Sequence, residues 1–123
     1  MAPPTILIVD DDEDLHTLYG LYLQSHDYKI LRAYNGKQAL EILEKETPDL
    51  IVLDMIMPVM DGEEFYVKLR TEKKMTEIPV IIASVNEKIS PKIFSAGKVY
   101  TTLKKPFTIE TLVGKIEEAL AKK

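Results

Sequence analysis

Short apolar runs alternate with helical patterns from one end of the chain to the other, and this alternation restricts the possible folds more than any other feature. Four of the runs are continuously apolar, which is typical of parallel strands that are covered on both faces of a sheet. A fifth, mixed run suits an edge strand. The predicted strands, in chain order, are Ile6–Val9, Lys29–Tyr34, Leu50–Leu53, Val80–Ala83 and Val99–Leu103.

The segments between these runs have the periodicity of amphipathic helices. After the first run, apolar residues recur at i, i+3, i+4 and i+7, which predicts one buried helix face. That face consists of Leu15, Leu18, Tyr19 and Tyr22. Shorter patterns predict four more helices, marked by Ala39, Ile42 and Leu43, by Phe65 and Leu69, by Ile89 and Ile93, and by Ile109, Leu112, Val113 and Ile116.

Local signals place some of the helix ends. Pro91 is compatible with the fourth helix only in its first turn, and Gly97 is the expected stop of that helix. Thr108 is the expected N-cap of the last helix. Five repeats of strand and helix indicate an α/β domain whose parallel strands are joined by right-handed crossovers. With five strands, the flavodoxin-like doubly wound order 2-1-3-4-5 is favoured, and it opens a crevice between strands 1 and 3.

Length and charge exclude several classes of function. The 123 residues fit one domain, residues 1–123. The formal net charge is −4, which argues against a surface built for nucleic acid or for an anionic membrane. The absence of cysteine excludes a disulfide scaffold, a cysteine nucleophile and a zinc ribbon. Because no apolar stretch is long enough for a signal peptide or a membrane span, the expected location is the cytoplasm.

Polar side chains follow the predicted strands at the point where each strand ends. Because the carboxyl ends of parallel strands lie at one edge of a sheet, we expect these groups to meet near the crevice. Two carboxylates about 4 Å apart repel by roughly 4 kcal/mol at an effective dielectric constant of about 20, so three cannot all stay ionised without a cation. The groups are, in strand order, Asp10 and Asp11, then Asp54, Ser84 and Lys105.

This expected cluster has the chemistry of a magnesium and phosphate site. Hard oxygen ligands with room for water suit Mg²⁺, which typically binds one or two carboxylates and a phosphate oxygen. Lys105 and the hydroxyl of Ser84 are suitable donors to a phosphate beside the metal. A carboxylate in this setting can attack phosphorus and become an aspartyl phosphate. Asp54 is the best candidate nucleophile, because it lies at the centre of the expected array.

Simpler roles are expected for other polar residues. The carboxylates of Asp12–Asp14 serve the start of the first helix, where they cap free N–H groups and complement the helix dipole. An EF-hand loop beginning at Asp10 is excluded, since leucine stands at its sixth position instead of glycine and at its twelfth instead of glutamate. His16 and His26 have no partners at metal-ligand spacing and are expected at the surface or half-buried.

Three motifs together resemble the receiver domain of two-component response regulators, and the resemblance covers essentially the whole chain. The first is Ile-Leu-Ile-Val-Asp-Asp at residues 6–11. The second, at residues 49–62, is Asp-Leu-Ile-Val-Leu-Asp-Met-Ile-Met-Pro-Val-Met-Asp-Gly. The third is Lys-Lys-Pro-Phe at residues 104–107. Each motif alone is moderately specific, and the three in this order and spacing are a strong match.

The resemblance implies a phosphorylation switch centred on Asp54. This residue would accept a phosphoryl group from a histidine of a sensor kinase or of a histidine phosphotransfer protein. Mg²⁺ would be held by Asp11, Asp54 and the backbone carbonyl of Ile56. Asp10 would assist through water.

The resemblance also implies how the phosphoryl group is read. Lys105 would pair with its oxygens, and the Lys105–Pro106 peptide bond would be cis, which proline permits. Ser84 would bond to the phosphate and shift an equilibrium between inactive and active forms. A downstream protein would bind the face made by helix 4, strand 5 and helix 5.

Two residues depart from the usual pattern of the family and support a competing hypothesis. Val85 stands where a small residue usually follows the switch hydroxyl, so it would crowd the phosphoryl pocket. Thr102 stands where the family often has an aromatic residue. The competing hypothesis is a receiver-like binding module that signals without phosphate.

Two further hypotheses concern Ile56. A Mg²⁺-dependent phosphohydrolase similar to the haloacid dehalogenase family requires an acid two residues after the nucleophile, and the apolar Ile56 at that position argues against this hypothesis. In receiver domains, the positions of Ile56 and Asn86 tend to line the path of the hydrolytic water. An apolar Ile56 is therefore expected to exclude this water and to slow the loss of phosphate.

Overall fold

The computed structural model describes residues 3–85 and 89–121, in which parallel strands and helices alternate. The strands are β1 (Thr5–Val9), β2 (Lys29–Ala33), β3 (Leu50–Leu53), β4 (Val80–Ser84) and β5 (Thr101–Lys104). The helices are α1 (Glu13–Gln24), α2 (Gly36–Leu43), α3 (Gly62–Thr71), α4 (Pro91–Ala96) and α5 (Ile109–Ala121). Within the described ranges, no helix combines the length and the apolar character that crossing a membrane requires.

All five strands belong to one parallel sheet in the order β2-β1-β3-β4-β5, so the predicted 2-1-3-4-5 order is confirmed. β1 lies between β2 and β3, with Ile6 opposite Ile30 on one side and opposite Leu50 on the other. The backbone ladder continues just beyond β3, where the N–H of Asp54 donates to the carbonyl of Val9 at 2.9 Å. The strand order reverses at this β1–β3 pair, which is where doubly wound sheets open a crevice.

Alternate residues of the central strands enter two hydrophobic cores, one on each face of the sheet. Leu7 and Leu53 pack with α2, α3 and α4, whereas Ile8 and Val52 pack with α1 and α5. All four side chains are at most 4% exposed. The strands are continuously apolar because both faces of the sheet are covered.

A side-chain cap begins each of the five helices. Pro91 occupies the first turn of α4 and Gly97 ends that helix, as predicted, but Ile89, which the pattern placed in this helix, lies before it. The expected cap at Thr108 is present, since its hydroxyl accepts a hydrogen bond from a backbone N–H in the first turn of α5. The capping residues and the N–H groups bonded to them are Asp12 with Asp14 at 2.9 Å, Asn35 with Gln38 at 2.9 Å, Asp61 with Glu64 at 2.9 Å, Ser90 with Lys92 at 3.3 Å, and Thr108 with Thr111 at 3.1 Å.

The predicted buried face of α1 is confirmed for Leu15, Tyr19 and Tyr22, which pack against the hydrophobic core on that side of the sheet, and wrong for Leu18. Leu18 is 59% exposed, and the sequence pattern failed because it counted only apolar residues. Gly20 faces β2 so closely that a Cβ there would collide with the guanidinium of Arg32. His16 is 1% exposed, so its predicted place at the surface or half-buried is also wrong, whereas His26 is exposed as predicted. The buried face is His16, Tyr19, Gly20 and Leu23.

Both edge strands are shorter than predicted. β2 ends at Ala33 instead of Tyr34, because its only neighbour is β1 and the pairing stops where Val9 is opposite Ala33. β5 begins at Thr101 instead of Val99, and its pairing with β4 begins where Ile81 is opposite Thr101. The carboxyl ends of the strands, where the candidate site lies, are unaffected by the difference in β5.

Candidate functional site

Three carboxylates from two neighbouring strands meet at the carboxyl edge of the sheet. Asp10 and Asp11 follow β1, Asp54 follows β3, and each offers an oxygen that lies within 4.8 Å of the other two. Asp10 is 3% exposed and Asp54 is 7% exposed, whereas Asp11 lies at the surface. The structure therefore brings together the three acids that the strand-end pattern singled out, two of them inside the crevice and one at its mouth.

Lys105 brings a positive charge to this cluster from the end of β5. Its Nζ donates to Oδ2 of Asp10 at 2.8 Å and lies 3.7 Å from Oδ1 of Asp54. Burial acts to lower the pKa of Lys105, but the hydrogen bond and charge of Asp10, together with the charge of Asp54, outweigh it and raise the pKa above its ordinary 10.5. Lys105 therefore stays charged, and a single ammonium group balances only part of the negative charge of three carboxylates.

Asp54 is the carboxyl group whose protonation the site perturbs most clearly. Burial raises its pKa from the ordinary 3.8 to about 6, and the negative charges of Asp10 and Asp11 act in the same direction. Lys105 and a hydrogen bond from the backbone N–H of Ile56 lower the pKa but do not cancel these effects. Near neutral pH Asp54 is mostly ionised, in a site where its charge is poorly compensated.

Asp10 is held in place by its backbone as well as by its side chain. Its N–H donates to the carbonyl of Ala33 at 3.1 Å, and its Oδ1 accepts from the N–H of Asp12 at 3.0 Å. Its backbone carbonyl lies 2.7 Å from Nε2 of His16. Sequence reasoning missed this contact; the available signal was that His16 lies one helical turn after the capping Asp12, on the face of α1 that turns toward the strand.

Ser84 and Lys105 are adjacent through the sheet backbone. Ser84 ends β4, is 2% exposed and accepts the N–H of Lys105 on its carbonyl at 2.9 Å. The Lys105–Pro106 peptide bond is cis, as the resemblance implies. Val85 is 62% exposed, so it does not fill the crevice with its side chain. Asn86 lies outside the described residues.

A close approach of backbone to backbone positions the loop that follows Asp54. The N–H of Gly62, at the start of α3, donates to the carbonyl of Met55 at 3.0 Å. A Cβ at Gly62 would lie 2.7 Å from the Cα of Met55 and would collide with the carbonyl of Asp54. Glycine is therefore required at this point, because any side chain would push α3 away from the loop that carries Asp54.

The donor set fits Mg²⁺. Its ligands are carboxylate oxygens, which this ion prefers. Octahedral ligands at about 2.1 Å from Mg²⁺ are separated by no more than about 4.2 Å. Oxygens that lie within 4.8 Å of one another thus need only small adjustments, or one water between a carboxylate and the ion. Three acids beside one lysine also supply the excess negative charge that attracts a divalent cation.

Comparison with known proteins identifies the family. Residues 6–117 match the response regulator receiver domain, which is most of the chain. The chain belongs to this family. Receiver domains are parts of two-component signalling systems and act as regulatory domains, and the acidic cluster of Asp10, Asp11 and Asp54 fits a phosphoacceptor site of that kind.

Curated relatives that are similar to this chain are longer proteins of different kinds. The response regulator GtcR of Aneurinibacillus migulanus is 35% identical over 117 residues, which are 94% of this chain and 47% of that protein. The sensor histidine kinase TmoS of Ectopseudomonas mendocina is 33% identical over 122 residues, which are 98% of this chain and 12% of that protein. This chain therefore spans less than half the length of these relatives.

Solved structures with the same fold match nearly from end to end. A CheY-like receiver domain protein from Methanospirillum hungatei is 25% identical, with a TM-score of 0.88 over 98% of this chain and 95% of that one. The response regulator TrrA of Thermotoga maritima is 27% identical, with a TM-score of 0.81 over 94% of this chain and 98% of that one. TrrA was solved in complex with Mg²⁺-BeF. The flavodoxin-like fold of this receiver domain is thereby established.

Proposed function

We propose that this receiver domain is a phosphoacceptor switch in which Asp54 takes a phosphoryl group from a histidine of a sensor kinase or of a histidine phosphotransfer protein. The observation that carries the proposal is the convergence of Asp10, Asp11, Asp54 and Lys105 at one edge of the sheet. In this proposal residues 1–123 act as one receiver unit in the cytoplasm. Its own chemistry is limited to accepting and losing the phosphoryl group.

The transfer is a substitution at phosphorus. A carboxylate oxygen of Asp54 attacks the phosphorus of the phosphohistidine, the new P–O bond forms, and the P–N bond to the imidazole breaks. The leaving imidazole nitrogen takes up a proton and becomes neutral histidine. Asp54 must be ionised to attack, and its pKa of about 6 keeps it mostly ionised near neutral pH. Its incomplete charge compensation keeps the carboxylate a competent nucleophile.

Asp11, Asp54 and the backbone carbonyl of Ile56 are the proposed ligands of Mg²⁺, with Asp10 acting through water. When bound, the ion neutralises the negative charge that the phosphoryl oxygens bring to the site. The proposal for Asp10 is supported by its ion pair with Lys105, which occupies Oδ2, and by the N–H of Asp12, which occupies Oδ1. Asp10 thus has fewer free lone pairs for a direct metal bond than Asp11, which is exposed.

Lys105 and Ser84 are the proposed sensors of the phosphoryl group. The Nζ of Lys105 is 3.7 Å from Asp54, close enough to pair with an oxygen of a phosphoryl group carried there. The hydroxyl of Ser84 would donate to a second oxygen and draw the end of β4 toward Asp54. A downstream protein would read this change on the face of α4, β5 and α5, where Phe94 is 58% exposed.

The test is phosphorylation by a small phosphodonor. Wild-type protein incubated with Mg²⁺ and acetyl phosphate should gain the mass of one phosphoryl group, and removal of Mg²⁺ with a chelator should prevent the gain. Asp54→Asn should gain nothing, because an amide is not a nucleophile toward phosphorus. Asp49→Asn, which changes an acid at the amino-terminal edge of the sheet beside Thr5, is the matched control and should be modified like wild type. Modification of the Asp54→Asn variant would overturn the proposal.

A receiver-like module that signals without phosphate is the second candidate. It is favoured by Thr102, which is exposed on β5 where the family often has an aromatic residue. Beryllofluoride, a phosphoryl mimic, separates the two candidates. Partner binding that strengthens with beryllofluoride supports the switch, whereas binding that is unchanged by beryllofluoride and by phosphorylation supports the module.

The lifetime of the phosphoryl group is proposed to depend on Ile56. Its side chain is 58% exposed and its N–H donates to the Asp54 carboxylate, so it lies beside the acceptor and toward solvent. An apolar side chain there hinders the approach of a hydrolytic water. Ile56→Asn should therefore lose its phosphoryl group faster than wild type after the phosphodonor is removed. An unchanged dephosphorylation rate would contradict this role.

A further inference from the structure

His16 is a buried histidine on α1 that is directed at the backbone of Asp10. Its side chain is 1% exposed, and its ring packs against Tyr34 with 4.5 Å between ring centroids. Nε2 lies 2.7 Å from the carbonyl oxygen of Asp10. Because a carbonyl oxygen only accepts, Nε2 must be the donor. Nδ1 is buried and has no hydrogen-bond partner within residues 3–85 and 89–121.

The carbonyl of Asp10 lies where the sheet can no longer provide a donor. The preceding carbonyl, that of Val9, accepts the N–H of Asp54 at 2.9 Å. One residue later β2 has ended at Ala33 and the chain turns toward the cap of α1 at Asp12. A buried carbonyl requires a hydrogen-bond donor, and here the donor is a side chain.

This carbonyl belongs to the peptide unit that joins Asp10 to Asp11. The orientation of that unit sets the directions in which the two Cα–Cβ bonds leave the backbone. One bond leads to the carboxylate that pairs with Lys105, and the other leads to the carboxylate at the crevice mouth. A hydrogen bond to the carbonyl therefore acts on both acids at once, although His16 touches neither carboxylate.

We infer that His16 is a positioning residue for the metal site: its bond to the Asp10 carbonyl holds Asp10 and Asp11 in the arrangement that binds Mg²⁺. The inference rests on the proposed function, since it takes these acids and Asp54 as the Mg²⁺ site. Loss of a group that orients metal ligands typically weakens metal binding by about 10–100-fold. Because His16 acts through the backbone, its removal should affect metal affinity at the lower end of that range, about tenfold.

Three substitutions separate this role from simple packing. His16→Gln places an amide nitrogen at nearly the position of Nε2, so it can donate to the Asp10 carbonyl. His16→Asn carries the same amide group on a shorter side chain, whose nitrogen corresponds to Nδ1 and cannot reach. His16→Phe keeps an aromatic ring against Tyr34 but has no donor. A packing role predicts that His16→Phe is the mildest change, whereas a positioning role predicts that His16→Gln is the mildest.

The experiment is calorimetric titration of Mg²⁺ into the wild type and the three variants, with phosphorylation by acetyl phosphate measured over a range of Mg²⁺ concentrations. His16→Phe and His16→Asn should raise the Kd for Mg²⁺ about tenfold, and the Kd of His16→Gln should stay within about threefold of wild type. At saturating Mg²⁺, all three variants should approach the wild-type rate of phosphorylation. Circular dichroism on each variant verifies that it is folded.

Several results would overturn the inference. If the wild type binds Mg²⁺ and is phosphorylated at Asp54, but His16→Phe binds Mg²⁺ as tightly as wild type, then His16 only packs and the proposed function still stands. The same conclusion follows if His16→Gln binds Mg²⁺ as weakly as His16→Asn and His16→Phe do. A wild-type protein that neither binds Mg²⁺ nor accepts a phosphoryl group would overturn the proposed function and this inference with it.

Discussion

Replacing Asp54 with asparagine should stabilise the folded protein at neutral pH, although it removes the proposed acceptor. The carboxyl is 7% exposed and lies beside the charges of Asp10 and Asp11. Its pKa is raised from 3.8 to about 6 by burial and by these charges. Folding therefore opposes its ionisation. Asparagine has nearly the same shape, retains an oxygen that can accept from the N–H of Ile56, and is uncharged at every pH.

The size and sign of the effect follow from linkage. A raised folded-state pKa means that the unfolded chain ionises Asp54 more readily than the folded protein does, so stability is lost as pH rises from about 4 through about 6. The difference between 3.8 and about 6, at 1.36 kcal/mol per pH unit, corresponds to about 3 kcal/mol once ionisation is complete. The Asp54→Asn variant does not lose this stability, because asparagine does not ionise. Its advantage over wild type should be near zero at about pH 4 and reach about 3 kcal/mol at about pH 8.

Urea unfolding with a chelator present measures this difference directly. At a slope of about 1.5 kcal/mol per molar urea, about 3 kcal/mol moves the midpoint by about 2 M. Both proteins are unfolded at several pH values between about 4 and about 8, and only the difference between them is interpreted. Comparing the two proteins cancels the titration of the acids that lie away from Asp54, since these are present in both and do not interact with position 54.

A difference in stability that is constant over this pH range would refute the reasoning, as would an Asp54→Asn variant less stable than wild type at about pH 8. Asp61→Asn is the matched control. Asp61 lies at the surface as the N-cap of α3, and asparagine caps a helix as well as aspartate does. This control should follow the pH dependence of the wild type.

Three other predictions follow from particular contacts. Lys105→Met removes a positive charge 3.7 Å from Asp54 and should raise the pKa of Asp54 above about 6. Carbon-detected NMR titration of the Asp54 carboxyl group measures this pKa, and a lowered value would contradict the prediction. Gly62→Ala should destabilise the protein by about 2 kcal/mol or more, because its Cβ would meet the backbone after Asp54, whereas Gly114→Ala on the open surface of α5 should stabilise it by about 0.5–1 kcal/mol. Thermal unfolding of the two variants should show opposite signs. Arg70→Met should destabilise the protein by about 3 kcal/mol, because the buried guanidinium donates to two loop carbonyls at 2.7 and 2.8 Å; a loss below about 1 kcal/mol in urea unfolding would show that water replaces it.

The fold was predictable because burial on both faces of the sheet leaves a direct mark in the sequence. Each central strand is a short apolar run, and the number of such runs favours one strand order. The edge strands were predicted less well. Tyr34 and Val99 look like strand residues by composition. Whether they join the sheet depends on how far the pairing with the single neighbouring strand extends, and composition does not determine this.

The meeting of the site residues was predictable for a similar reason. Parallel strands bring their carboxyl ends to one edge, so Asp10, Asp11, Asp54 and Lys105 had to lie near one another once the strand order was known. Their pairing was not predictable. Lys105 forms its short contact with Asp10, at 2.8 Å, and lies 3.7 Å from Asp54. That preference depends on side-chain positions within about an ångström, which strand order does not determine.

His16 was missed because two of the buried residues of α1, His16 and Gly20, are not apolar. Histidine and glycine contribute little to an apolar pattern, so the pattern selected Leu18 in place of His16 and Gly20. Gly20 lies where α1 approaches the guanidinium of Arg32, and His16 lies where the strand leaves a carbonyl without a donor from the sheet. Both positions are set by contacts between α1 and the neighbouring strands. The hydrophobic periodicity of α1 does not contain these contacts, and the structure was needed to find them.

The central claim, that Asp54 is the phosphoryl acceptor, is tested most directly by locating the group on the chain. Protein phosphorylated with acetyl phosphate and Mg²⁺ is treated with borohydride, which reduces an aspartyl phosphate to homoserine, and is then digested and sequenced by mass spectrometry. The account predicts homoserine at position 54 and unmodified aspartate at positions 10 and 11. Homoserine at position 10 or 11, or a phosphorylated protein without homoserine at position 54, would contradict it.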